Sequence, residues 1–178
     1  MFAFLLEWVS EVDMPQYNYA GYPLKILDGG SGHGDYVIPD KFISHDTLHI
    51  EVSTTDLDSY RDANNVLHRQ AINTLVPKVE FNTPYIDSEF FQTVMSEIRA
   101  RYMPNYTTEK RVQMSVWSEE YNQYFSQDFY LIPDIHFTIY KKDIRRVQVG
   151  GVYETRTYFL YDPIRIAFIG YGVYTQQQ

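Results

Sequence analysis

The 178-residue sequence contains no cysteine, and that absence removes disulfide staples, thiolate metal sites and cysteine nucleophiles together. It leaves the redox compartment open. Basic residues are also few, fifteen Lys and Arg against twenty-three Asp and Glu, for a net charge of −8. A general binder of nucleic acid or of anionic membranes needs clustered cations for phosphate, so neither class fits. The one dense basic run is Lys141, Lys142, Arg145 and Arg146. Asp143 interrupts it and no Gly-rich loop or helix accompanies it, so it reads as a solvated turn between strands.

Long apolar runs are missing as well. Met1 to Val9 is nearly all apolar, but as a helix it spans only about 14 Å, against a bilayer core of roughly 30 Å, so no membrane insertion is expected. It lacks the basic leading region and small-residue cleavage site of a signal peptide and carries Glu7, which argues against that reading. Burying Phe2, Phe4, Leu5, Leu6, Trp8 and Val9 is worth on the order of 10 kcal/mol. Residues 1–16 are therefore expected to form a docking arm, packed on their own domain or on a neighbouring subunit.

Catalytic signatures are absent too. No Gly-x-Ser-x-Gly occurs, and Gly30-Ser31-Gly32 lacks the strand-to-helix setting of a nucleophile elbow. The Gly-rich stretch Asp28 to Asp35 has no following Lys-Ser or Lys-Thr to make a phosphate cradle and reads as a flexible loop. His45 and His49 are four apart, but along a strand that is about 13 Å, too far for one metal. Asp134 and His136 would share a strand face without a third ligand, and His33 and His68 fall in predicted loops. Glu80, Glu89, Glu97, Glu119 and Glu120 supply carboxylate pairs as any acidic chain does. Asp56, Asp58 and Asp62 lack the glycine and terminal glutamate of a calcium loop. The expectation is a non-enzyme without metal or cofactor.

What the sequence does have is aromatic residues, 17% of the chain with seventeen tyrosines, which suit half-buried strand faces and interfaces. It also has alternation. Strands are expected at Tyr17 to Leu27, Thr47 to Ser53, Val66 to Ile72, Lys78 to Asn82, Lys110 to Trp117, Tyr124 to Ile132, Ile135 to Tyr140, Val152 to Tyr161 and Ile164 to Val173. Asp56 to Asn65 reads as the turn-prone part of a long hairpin excursion. One helix interrupts the pattern over about 86–102, within Tyr85 to Tyr102, with Phe90, Val94, Ile98 and Tyr102 four apart and Phe91 and Met95 beside them. Asp87 or Ser88 caps its start and Pro104 stops it. The predicted fold is mainly β (α+β): an antiparallel β-sandwich or split barrel over residues 17–173 with one helix packed on it and a short polar tail at 174–178.

Four stretches add a resemblance. Asp58-Ser59-Tyr60-Arg61-Asp62-Ala63-Asn64 with Leu67-His68-Arg69 comes first, then Lys78-Val79-Glu80-Phe81-Asn82-Thr83-Pro84. Tyr130 with Pro133-Asp134-Ile135 and Phe137 follows, and then Pro163 to Ile169. In order and spacing, over about Phe42 to Gly172, these resemble a family of small tail structural proteins of tailed bacteriophages and prophages. Where that family has a glycine after Asn64, this chain has Asn65, which tolerates a positive φ.

The resemblance implies a virion component of the tail tube or of the distal tail or baseplate ring, assembled in the host cytoplasm. Copies would join edge to edge around the genome channel and contact neighbouring tail proteins, without sequence-specific binding of nucleic acid. It makes the Asp56 to Arg69 excursion an inter-subunit loop. Candidate contacts are then Tyr60, Arg61, Asp62, Asn64, His68 and Arg69, with Phe2, Phe4 and Trp8 of the apolar arm. Two other readings compete: a carbohydrate-binding β-sandwich, suggested by the aromatics, and a wall-degrading enzyme, for which no catalytic set is visible.

Overall fold

Alternation along the chain becomes a strongly curved sheet whose two ends nearly meet. The fold is taken from a computed structural model, which describes residues 16–174, and the side chains of all of these except 54–59, 69–74 and 173–174. Phe2, Phe4 and Trp8 and the 175–178 tail thus lie outside the described residues. The strands are β1 (Leu24–Ile26), β2 (Tyr36–Val37), β3 (His49–Arg61), β4 (Leu67–Asn82), β5 (Ile86–Asp87), β6 (Arg111–Ser118), β7 (Gln123–Leu131), β8 (Ile139–Val149), β9 (Val152–Tyr161), β10 (Arg165–Gly170) and β11 (Val173–Tyr174), with one α-helix, α1 (Ser88–Ala100).

Eight strands form one antiparallel sheet. Its order is β3-β4-β10-β7-β6-β1-β2, with β11 beside β10 on the same edge of β4. The registers explain why this sheet has one inward face. Phe81 faces Ile166 across the ladder, and Phe168 lies between Val79 and Leu131. Val112 faces Phe129, Val116 faces Leu24 and Met114 faces Ile26. Every inward residue sits opposite another, so the period-two pattern of each strand adds to a single apolar core. The sheet curls until the start of β3 returns over the end of β6, giving a split barrel.

The helix closes that barrel. Phe91, Val94, Met95 and Ile98 are buried and belong to the same core as the sheet residues, and Phe91 meets Phe42 at 5.9 Å and Phe137 at 5.2 Å between ring centres. Asp87 caps it, its carboxylate accepting the Phe90 N–H at 2.8 Å, which satisfies one of the free donors of the first turn. Before the helix, β5 pairs with β9, and β9 with β8, in a second, three-stranded sheet. Strand-rich layers with one helix make this a mainly-β α+β fold, as the alternation predicts.

Several expectations need correction. Helix α1 is shorter at both ends than predicted, because Ile86 and Asp87 are drawn into pairing with β9 and the chain turns at Arg101. Its buried stripe runs through Phe91 in place of Phe90, which is half-buried under the Lys41 ammonium. Only Leu24–Ile26 of the first predicted strand pairs, and Ile135 to Thr138 is irregular, so Asp134 and His136 share no strand face. The basic run lies inside β8, and the turn falls at Gly150 and Gly151, whose φ of 58° and 86° suit glycine. His68 is in β4, not a loop, and His45 begins a 3-10 helical turn, so the strand spacing does not apply to His45 and His49.

The Gly-rich loop is pinned. Asp28 accepts the Ser31 hydroxyl at 2.7 Å and the His33 N–H at 3.1 Å. The buried Arg101 guanidinium donates to Gly34 and His33 carbonyls at 2.7 and 3.0 Å, which ties the loop to the end of α1.

Candidate assembly surfaces and an aromatic cleft

Three features of the described residues lie outside the core and bear on function. The first is the tip of the β3–β4 hairpin. Asp62 organises it: one carboxylate oxygen accepts the Asn64 and Val66 N–H groups at 2.9 and 3.0 Å, and the other meets His68 Nε2 at 3.0 Å. The histidine hydrogen bond, with the backbone donors, holds the Asp62 carboxyl below its ordinary range. Asn65 takes a φ of 63°, the left-handed turn position that Asn tolerates, and its carbonyl accepts from Arg61 at 3.0 Å. Tyr60 stacks on His68 across the ladder at 4.9 Å and stays 57% exposed.

The structure brings Tyr60, Arg61, Asp62, Asn64 and His68, the candidate contacts of the sequence analysis, together at one hairpin tip, Asn64 taking part through its backbone. The Arg69 side chain is not described.

The second feature, missed by sequence reasoning, is the β8–β9 arm. Eleven and ten residues long, its strands pair, among the described residues, with each other and, near the base, β9 with β5. Register sorts its side chains. Asp143, Arg145 and Val147 lie opposite Tyr158, Arg156 and Glu154, and this face turns toward the start of α1, where Arg156 and Tyr158 lie beside Ser88 and Glu89. The opposite face carries Lys142, Ile144, Arg146 and Tyr153. Ile144, Tyr153 and Val152 are 63–65% exposed. Arg145 and Arg156 are paired with Asp143 and Glu154 at 2.8 and 3.1 Å. Lys141, Lys142 and Arg146 form no ion pair among the described residues. The available signal was the interleaving of Ile139, Tyr140 and Ile144 with charge.

The third feature is a cleft of about 630 Å³ at the seam where the barrel fails to close. Tyr17, Tyr19 and Trp117 form one wall, and Leu48 and Ile50 of the β3 side form the other. Glu119, Glu120, His45 and His49 line it too, with no lysine or arginine among the described residues. Residues 16–22 are fixed there because Asn122 in the β6–β7 turn donates to the Gln16 carbonyl and accepts the Asn18 N–H, at 2.7 and 3.1 Å. The Tyr124 hydroxyl donates to the Tyr22 carbonyl at 2.8 Å and accepts the Ala20 N–H at 3.0 Å. The aromatic rings then pack edge-on, Tyr17 and Tyr19 at 5.5 and 5.4 Å from Trp117. Glu119 accepts the Tyr17 hydroxyl at 2.8 Å, and that bond to a carboxylate raises the tyrosine pKa.

No group of three or more His, Asp or Glu side chains suited to a metal ion occurs among the described residues, and none of their helices is long and apolar enough to cross a membrane. The described residues form a split-barrel α+β fold with three surface features: a hydrogen-bonded tip, a basic apolar arm and an acidic aromatic cleft. Residues 17–171 match a family model described as a family of unknown function, DUF6711, and the chain belongs to that family. The matched range contains all three features. No curated protein and no solved structure matches the chain.

Proposed function

We propose that this protein is a structural, self-assembling component of a bacteriophage tail, contributing a ring to the tail tube or to the distal tail and baseplate. The observation that carries the assembly reading is the β8–β9 arm. A two-stranded hairpin is marginal by itself in water, and this one presents Ile144, Val152 and Tyr153 to solvent. Apolar groups clustered on a projecting element mark a protein interface. The hydrogen-bonded β3–β4 tip, with Tyr60, Val66 and Leu67 exposed, offers a second contact. The phage assignment rests on the sequence resemblance set out above, and the net charge of −8 suits a channel wall that lets DNA pass without gripping it.

Negative-stain microscopy of the purified chain, alone and with proteins encoded beside it, tests this reading. Rings or short tubes are expected; separate particles of monomer size under all conditions would refute it. The cleft favours one second reading, recognition of host-surface carbohydrate, since tyrosine faces beside carboxylates suit sugar rings. Titration with wall-glycan fragments should give saturable binding if that reading holds.

A further inference from the structure

From the charges and shapes of the arm and the cleft, we infer that the acidic aromatic cleft of one copy receives the basic face of the β8–β9 arm of a second copy. This deepens the assembly reading and rests on it. The arm is an electrostatic exception within the chain. Its strands hold five basic residues, Lys141, Lys142, Arg145, Arg146 and Arg156, against two acidic ones, Asp143 and Glu154, leaving ten basic and twenty-one acidic residues elsewhere. Both arm carboxylates are already neutralised within the arm. Its surplus cations are thus unopposed.

The cleft has the opposite character. Glu119 and Glu120 are exposed at its rim, Asp46 and Glu51 lie next to its His45 and His49, and no Lys or Arg among the described residues lines it. Its walls offer aromatic and aliphatic surface from Tyr17, Tyr19, Leu48 and Ile50. On the arm's open face, Lys142 and Arg146 flank Ile144, with Tyr153 paired across from Gln148 beside them. Apolar side chains at the centre with cations around them match an apolar cleft with carboxylates at its edge. Charges so arranged steer encounter and fix register while the apolar groups supply the buried contact.

Because the arm and the cleft are different patches, the contact is heterologous: each copy gives an arm and receives one. Repetition then yields a ring when the rotation closes and a filament when it does not. Binding of a different macromolecule in the cleft, such as a wall glycan, is the competing use of the same surface.

Charge reversal on each side separates these outcomes. One variant carries Lys142→Glu and Arg146→Glu; the other carries Glu119→Lys and Glu120→Lys. All four positions are exposed, so folding should be preserved and is checked by circular dichroism. Each variant alone should associate at least tenfold more weakly than the wild type in native mass measurements. An equimolar mixture should regain assembly, since every arm then meets a cleft of opposite sign. Wild-type association should weaken as salt rises.

If the wild type assembles and the cleft variant assembles equally well while the arm variant does not, the acceptor lies elsewhere. This inference then falls and the assembly reading stands. A mixture that fails to regain assembly also overturns it, as does saturable glycan binding that the cleft variant loses with assembly intact. A wild type that stays monomeric removes both.

Discussion

At the scale of single residues, the fold depends on a few positions where chemistry leaves little freedom. Glu80 on β4 accepts two hydrogen bonds from Arg165 of β10, at 2.6 and 2.8 Å, and lies 3.2 Å from Lys78. The arginine first and the lysine second lower its pKa from 4.5 to about 2. A carboxyl depressed on folding stabilises fully above its unfolded pKa, so this contribution is lost as pH falls from about 4.5 toward about 2. Glu80→Gln should flatten the acid limb of stability measured by urea unfolding across that range. It should change stability at pH 7 by only about 1 kcal/mol, because the pair is near the surface.

Gly170 on β10 is a packing constraint. A Cβ there would overlap the buried Gln127 amide and lie 3.0 Å from Pro77 Cδ. Gly170→Ala should cost about 1–3 kcal/mol in unfolding free energy. Neither constraint is visible in the sequence, where Glu80 reads as one more carboxylate and Gly170 lies inside the strand expected at Ile164 to Val173. Asn65 is different, because its positive φ is legible from residue type beside Asp62 and Asn64.

At the scale of elements, what was legible followed burial. β6, β7 and the end of β4 each keep one face in the core, so Val112, Met114, Val116, Val79 and Phe81 alternate with outward residues and announce strands. Arm strand β8 has both faces in water over most of its length and no such alternation. Its charges have the pattern of a turn, since solvent exposure leaves the same mark on both. The cleft was invisible for another reason: it joins residues 17–23, 45–50 and 117–120, which only the curl of the sheet brings together.

The helix is legible because its apolar stripe is periodic, although the four-residue spacing selects Phe90 where the structure buries Phe91. Ile98→Ala should cost about 2–5 kcal/mol by leaving a cavity at a fully buried site. Val94→Asp should prevent folding altogether, because an unpaired carboxylate would enter the shared core. Asp87→Ala, removing the cap, should cost about 0.5–2 kcal/mol. Thermal unfolding of the three variants checks this order.

For the whole molecule, the curved sheet and its helix bury one continuous core and leave a tip, an arm and a cleft outside it. The tip, the arm and the cleft are the surfaces on which the proposed assembly rests. The most direct test of that assembly is the native mass of the purified chain as a function of concentration, beside an arm variant carrying Ile144→Glu and Tyr153→Glu at its exposed face. The wild type should form a discrete oligomer of many copies and the variant should remain a folded monomer. A wild type that stays monomeric at every concentration, alone and with the products of neighbouring genes, would contradict the account.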